Sequence, residues 1–302
     1  MRIAAQVRAA AAVALLTGSC LLAGALPAGA AAVLPARLEA TSSPADVTAA
    51  AAELVDATAG RELWTRNFEG RRPIASITKV MTAYVVIQAG ELNRKIRVTE
   101  AAEEYGQQYD PSEAGLQPGD LLTTQQLLEA LLLPSASDAA YLLATTYGPG
   151  WPAFVRKMNA TAKKLGMTRT HYANFDGLPW PTEHSTYSTP HDLILLAEAA
   201  MKLRAFREIV AQPSHSIAAT RQHHHYYWTN TNLLLDSYPG AIGIKTGFTQ
   251  GAGYCLLFAA RRNGIELIGV VLDSTRTDSQ ERFIAATNML TWGFADVSRA
   301  TS

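Results

Sequence analysis

The stretch Tyr254-Cys255-Leu256-Leu257-Phe258-Ala259, followed after Asn263-Gly264 by Ile265-Glu266-Leu267-Ile268-Gly269-Val270-Val271-Leu272, decides the fold. Both runs are β-rich, and Asn-Gly between apolar runs is the strongest short hairpin signal, because both turn residues must take positive φ. A second hairpin is expected near the N-terminal end, where Glu53-Leu54-Val55-Asp56 and Glu62-Leu63-Trp64-Thr65 flank a turn at Ala59-Gly60. Between the hairpins the pattern is helical. From Ser76, the residues Ile77, Val80, Met81, Tyr84 and Val85 fall on one helix face, which Gly90 is placed to end. Thr124 to Leu133 carries a leucine stripe and stops at Pro134. Asp138 opens a helix to Tyr147, another spans Trp151 to Leu165, and Thr189-Pro190 caps a further one. A closing helix is expected from Asp278 to Trp292, with Phe283, Ala286 and Leu290 on one face. The fold class is therefore α+β: an antiparallel sheet covered by helices, with a mostly helical inserted subdomain at about 90–200.

The 302-residue chain balances 26 Lys+Arg against 26 Asp+Glu, which argues against a nucleic-acid partner. With 48% hydrophobic and 17% charged residues it can bury a sizeable core. Residues 1–30 read as a signal peptide: Arg2 and Arg8, an apolar run from Ala9 to Leu22, and a small-residue exit at Ala28-Gly29-Ala30. Residues 31–50 read as a linker and 51–302 as one domain. Leu16-Thr17-Gly18-Ser19-Cys20 loosely resembles a lipoprotein box, so lipidation at Cys20 is the alternative to release. No later run is apolar for the ~20 residues a membrane-spanning helix needs, so a secreted mature chain without a transmembrane anchor is expected. Cys20 and Cys255, far apart, exclude a disulfide scaffold or a cysteine-based zinc site.

Ser76 and Lys79 stand one helical turn apart, so their side chains share a face. A serine hydroxyl attacks well only if a base takes its proton. A lysine amine does so only when neutral, a form favoured by burial or a nearby cation, for which Lys245 is a candidate. Thr246 offers a hydroxyl to an anionic substrate, and Gly247 lets a ligand approach the backbone closely.

Ala75-Ser76-Ile77-Thr78-Lys79, Ser135-Ala136-Ser137-Asp138 and Gly243-Ile244-Lys245-Thr246-Gly247, in that order, resemble the three signatures of the serine penicillin-recognising enzymes. More narrowly, the chain resembles the low-molecular-mass D-alanyl-D-alanine carboxypeptidases of the S11 peptidase family, from about Glu53 to Phe294. Asn174, Gly177-Leu178, Thr231-Asn232 and Ala252-Gly253-Tyr254 add to the likeness. The resemblance implies a β-lactamase/transpeptidase-like fold and a catalytic domain at 51–302. It implies an exported, cell-wall-associated hydrolase that needs no cofactor or metal and releases the terminal D-alanine of peptidoglycan stem peptides ending in D-Ala-D-Ala. β-Lactams would be covalent inhibitors. It makes Ser76 the nucleophile, Lys79 its base and Ser135 a proton relay to the leaving D-alanine. Ser137, Lys245, Thr246, Gly247, Phe248 and Arg282 would bind substrate. The backbone N–H groups of Ser76 and Phe248 would form the oxyanion hole, and Arg276 is the alternative to Arg282. One position departs: relatives usually read Ser-x-Asn, where this chain has Ser137, whose hydroxyl reaches less far than an amide.

Two other functions compete with this reading. A β-lactamase of the same superfamily would need a glutamate for the deacylating water, and no Glu-x-x-Leu-Asn segment stands between Ser137 and Lys245. A weakly active or inactive protein that binds cell-wall peptide or β-lactam is the other, suggested by Ser137. His223-His224-His225 reads as an exposed hairpin or cleft edge rather than a metal site. Trp180-Pro181 and Glu183-His184 read either as cleft rim or as packing, and Cys255 as a small buried apolar residue.

Overall fold

A computed structural model describes residues 43–109 and 112–300. The expected signal peptide, the Cys20 box and most of the expected linker lie outside these residues. The chain order is β1 (Ala51–Asp56), β2 (Arg61–Arg66), β3 (Arg72–Pro73), a 3-10 turn (Ala75–Ile77), α1 (Thr78–Gln88), β4 (Lys95–Arg97), α2 (Glu100–Tyr109), β5 (Leu121–Thr123), α3 (Thr124–Leu132), α4 (Ser137–Tyr147) and α5 (Trp151–Lys164). There follow β6 (Tyr187–Ser188), α6 (Pro190–Met201), α7 (Arg204–Val210), β7 (Ser214–Ile217), β8 (Tyr226–Thr229), α8 (Leu234–Ser237), β9 (Ala241–Thr249), β10 (Gly253–Arg262), β11 (Ile265–Leu272) and α9 (Glu281–Ala300).

Five strands form one antiparallel sheet in the order β2-β1-β11-β10-β9. Asn263 and Gly264, at φ 49° and 83°, make the tight β10–β11 turn. The continuous apolar run of β10 follows from burial on both faces. Cys255, Leu257 and Ala259 join the core shared with the helical segment, while Leu256, Phe258 and Ala260 join a second core beneath α9. Phe283, Ala286 and Leu290 of α9 lie in that second core, as their spacing requires. Residues 43–50, the end of the stretch read as linker, run against the same layer, with Val47 and Ala49 buried. The Arg66 guanidinium donates to the carbonyls of both.

Three features differ from the periodicity reading. Ser76 sits on the 3-10 turn before α1, not in the helix. In α1 every residue from Thr78 to Ala83 is buried, because helices surround it instead of leaving an outer face to water. The strand β9 runs from Ala241 to Thr249, whereas the sequence reading places Lys245 to Gly247 just before the β-rich run without giving their strand any bounds. It closes the sheet on the side of the 3-10 turn, and its glycines and polar residues interrupt any apolar alternation.

The ribbon β7–β8 is tied to α3 through a buried carboxylate: His215 Nε2 lies 2.9 Å from an oxygen of Glu129. Burial pushes the Glu129 carboxyl above its ordinary range, and the His215 charge and a bond from Gln125 oppose this only in part. The folded state thus holds this proton more tightly than the unfolded one. The stability it contributes is full at acid pH and is lost as pH rises through the raised value. Glu129→Gln removes that loss. The melting-temperature difference, variant minus parent, is expected to grow more positive from about pH 5 to about pH 8. Thermal melts across that range test it, and a pH-independent difference would contradict it.

Candidate active site

Because the first half of α1 is buried all round, its first turn presents side chains to a cleft beside β9 rather than to open solvent. Lys79 is fully buried, and its Nζ donates to Ser76 Oγ at 3.2 Å and to the Asp176 carbonyl at 3.2 Å. The segment carrying that carbonyl is pinned by its own side chains. Tyr105 Oη donates to Asp176 Oδ2 at 2.6 Å and accepts from Trp180 Nε1 at 3.2 Å. Asn174 Oδ1 accepts from the Gly177 N–H at 2.7 Å, while its Nδ2 donates to the Leu178 and Trp180 carbonyls. The serine–lysine pair therefore rests on a rigid loop behind it.

Strand β9 forms the facing wall. A Cβ on Gly247 would lie 2.9 Å from the Ile74 carbonyl oxygen and 3.3 Å from Ala75 Cβ and Ile77 N. The glycine thus lets the strand press against the turn that carries Ser76, which is a different close approach from the ligand contact expected from sequence. Thr246 Oγ1 shares a 2.6 Å hydrogen bond with Thr231 Oγ1. Lys245 is buried behind Thr246, its Nζ donating to the Thr246 carbonyl at 3.2 Å.

The α3–α4 loop closes a third side. Ser135 takes φ 72°, a left-handed conformation uncommon outside glycine, and lines the cleft. Ser137 is fully buried, and its backbone N–H donates to the Ser112 carbonyl at 3.0 Å. Asp138 accepts from the backbone N–H groups of Ala114, Leu116 and Ala139, anchoring the loop that brings Ser112 into the lining. Burial still raises the Asp138 carboxyl above its ordinary range.

The cleft measures about 440 Å³. Of the residues expected from sequence, Ser76, Ser135, Thr246, Gly247, Phe248 and Arg282 line it, while Lys79, Ser137 and Lys245 do not appear in its lining. Arg282 on α9 reaches over the Tyr254 ring at 5.0 Å and donates from Nη1 to the Gly247 carbonyl at 3.3 Å. Its Nε has no hydrogen-bond partner, no carboxylate pairs with it among the described residues, and burial lowers its pKa. Arg276 pairs with Asp273 and does not line the cleft. Sequence reasoning missed Ser112, and it had Gly177, Thr231 and Tyr254 only as parts of a resemblance. The Asp176-Gly177 pair was the one local signal, that of a tight turn.

Away from the cleft, His224 Nδ1 lies 3.0 Å from Asp120 on the loop before β8, and no group of metal-ligating side chains occurs among the described residues. Cys255 is buried, its thiol pushed up to about 12, so it has no thiolate character. No helix among the described residues is long and apolar enough to cross a membrane.

The sequence profile of D-alanyl-D-alanine carboxypeptidase, peptidase family S11, matches residues 38–276. The chain belongs to that family. It is 41% identical over 248 residues to the D-alanyl-D-alanine carboxypeptidase of Streptomyces sp. strain K15, covering 78% of this chain and 84% of the relative. It is 30% identical over 253 residues to DacF of Bacillus subtilis, of which it spans 62%. The crystal structure of the Streptomyces K15 DD-transpeptidase superposes with a TM-score of 0.77 at 39% identity, covering 82% of this chain and 98% of that one. Membership makes the chain a serine-type DD-peptidase and fixes the transpeptidase/β-lactamase-like fold. An extracytoplasmic location fits the family's cell-wall role.

Proposed function

We propose that this chain is an exported serine D,D-carboxypeptidase that removes the terminal D-alanine from peptidoglycan stem peptides through a Ser76 acyl-enzyme, and that β-lactams acylate the same serine. The 3.2 Å contact between Lys79 Nζ and Ser76 Oγ, at the wall of a cleft that also holds a carboxylate-free arginine, carries this reading. Arg282 is a half-buried guanidinium whose desolvation no carboxylate among the described residues offsets, so the terminal carboxylate of a peptide is its natural counter-ion. Thr246 adds a hydroxyl to the same carboxylate, and Lys245 behind it adds a positive field. Ser76 Oγ then attacks the carbonyl of the penultimate D-alanine while Lys79 takes the hydroxyl proton. The tetrahedral oxyanion is held by the N–H groups of Ser76 and Phe248. As the intermediate collapses, the C–N bond breaks, and Ser135 passes a proton to the departing amine of D-alanine. Water attacks the remaining ester and frees Ser76. Export rests on the expected signal peptide, with lipidation at Cys20 as the alternative.

Release of D-alanine from a diacetylated Lys-D-Ala-D-Ala peptide, with a fluorescent penicillin mapped to its attachment residue by mass spectrometry, tests this reading. The expected result is turnover and a label on Ser76. A label elsewhere, or neither signal from folded protein, overturns it. Fast turnover of nitrocefin would instead mark a β-lactamase, and labelling without D-alanine release a binding protein.

Arg282→Met separates binding from folding. Loss of a charge-assisted contact to the carboxylate is expected to lower kcat/KM on the peptide by about 10- to 100-fold. Melting temperature should stay level, since a half-buried charge without a carboxylate partner is replaced by an apolar side chain of similar length, which offsets the lost bond to the Gly247 carbonyl. Steady-state kinetics and a thermal melt on one preparation read both, and a fall in both would make Arg282 a structural residue.

A further inference from the structure

Among the described residues, Arg282 is one of two charged residues lining the cleft; the other is Glu183. Glu183 stands on the loop after Trp180 and leans over the β9–β10 turn. Its Oε2 accepts from Thr249 Oγ1 at 3.2 Å, and Thr249 Oγ1 in turn accepts from the Ala252 N–H at 3.1 Å. Gly251 leaves the room for it: a Cβ there would lie 2.4 Å from Oε2 and 2.8 Å from the carboxyl carbon. No Lys, Arg or His pairs with Glu183 among the described residues, and Arg282 does not lie within salt-bridge distance of it. Among the described residues the cleft thus holds an anion and a cation that have hydrogen-bond partners but no oppositely charged side chain paired with either.

We infer that Glu183 is a specificity-determining residue, which binds an ammonium group on the side chain of the residue preceding D-Ala-D-Ala. This rests on the proposed function, which fixes the direction of the substrate. The terminal carboxylate sits at Thr246 and Arg282, and the reacting carbonyl at the Phe248 N–H. A peptide lying along β9 as an added strand advances ~3.3 Å per residue, so the residue before the reacting D-alanine falls at the level of Thr249, beside Glu183. Arg282 and Glu183 then match the two charges of a peptide with an anionic tail and a cationic side chain.

Two tripeptides test this: Nα-acetyl-L-Lys-D-Ala-D-Ala, with a free side-chain amine, and its Nα,Nε-diacetylated form. A third, acetylated only on Nε, carries the cation at the N-terminus instead. The parent chain is expected to prefer the free side-chain amine by about three- to five-fold in kcat/KM, the range of a partly exposed ion pair, with the difference in KM. Glu183→Gln should erase the preference, and Glu183→Lys should invert it. No preference in the parent, or one that persists in Glu183→Gln, overturns the inference, as does a preference for the N-terminal amine. Fluorescent penicillin carries no such amine, so its labelling of Ser76 reports the catalytic reading separately. Direct binding of the peptides to the Ser76→Ala chain gives the same comparison without turnover.

Discussion

Lys79→Met is expected to slow acylation of Ser76 by about 10³- to 10⁴-fold while leaving the protein folded. A serine hydroxyl is a weak nucleophile at neutral pH, and Lys79 Nζ, at 3.2 Å, is positioned to take its proton. Neither neighbouring group replaces it. Ser135 offers only another hydroxyl, and the Lys245 amine is engaged with the Thr246 carbonyl. Methionine keeps the length and most of the volume of lysine but has no proton acceptor of comparable strength. At a fully buried site it removes the cost of holding an amine away from water, which offsets the lost bond to the Asp176 carbonyl. The activity loss is thus separable from unfolding. The rate of fluorescent-penicillin labelling at saturation and the melting temperature, taken on one sample, check both halves. Labelling within about ten-fold of the parent would place the base elsewhere.

The contact at the centre of this prediction was legible in the sequence because the proposed chemistry constrains spacing: a hydroxyl and an amine one turn apart at the head of an apolar helix. The β10–β11 hairpin was legible for a different reason. Asn263-Gly264 joins two apolar runs, and β10 is buried on both faces by two separate cores. Local pattern says less about β9. This strand lies at the sheet edge against the 3-10 turn, and Gly247 is there to admit that turn, so its sequence answers to a neighbour far away in the chain. Ser112 and Glu183 belong to the same category. Each reaches the cleft on an irregular loop, held by Asp138 in one case and by Thr249 in the other, and no periodicity within the loop encodes either contact. The buried ring of α1 reads as an amphipathic face for a related reason. Its second set of partners, α3 to α7, is assembled from segments whose packing no single window contains.

Gly177→Ala tests whether the cleft depends on such a long-range contact, and the expected loss of kcat/KM is about 10²-fold or more. Gly177 takes φ 86°, and a Cβ on it would lie 1.9 Å from the Ala75 carbonyl oxygen and 2.7 Å from Thr78 Oγ1. Backbone cannot yield to such a clash by rotating a side chain, so either the Asn174–Leu178 loop or the turn carrying Ser76 must move. The first choice breaks the Asn174 bonds and withdraws the Asp176 carbonyl from Lys79; the second shifts Ser76 itself. A displacement near 1 Å at reacting groups is enough for a loss of this size. Gly90→Ala supplies the control. Gly90 has nearly the same φ, 80°, but nothing lies within 4 Å of its Cβ position. That variant bears only the left-handed backbone cost of about 1 kcal/mol and should melt slightly lower with unchanged kcat/KM. Kinetics and melts of the two variants side by side therefore separate conformational strain from steric displacement. Parent-like activity in Gly177→Ala would mean that the loop can retreat without disturbing either Lys79 or Ser76, and that the rigidity assigned to this wall of the cleft is not what holds the pair together.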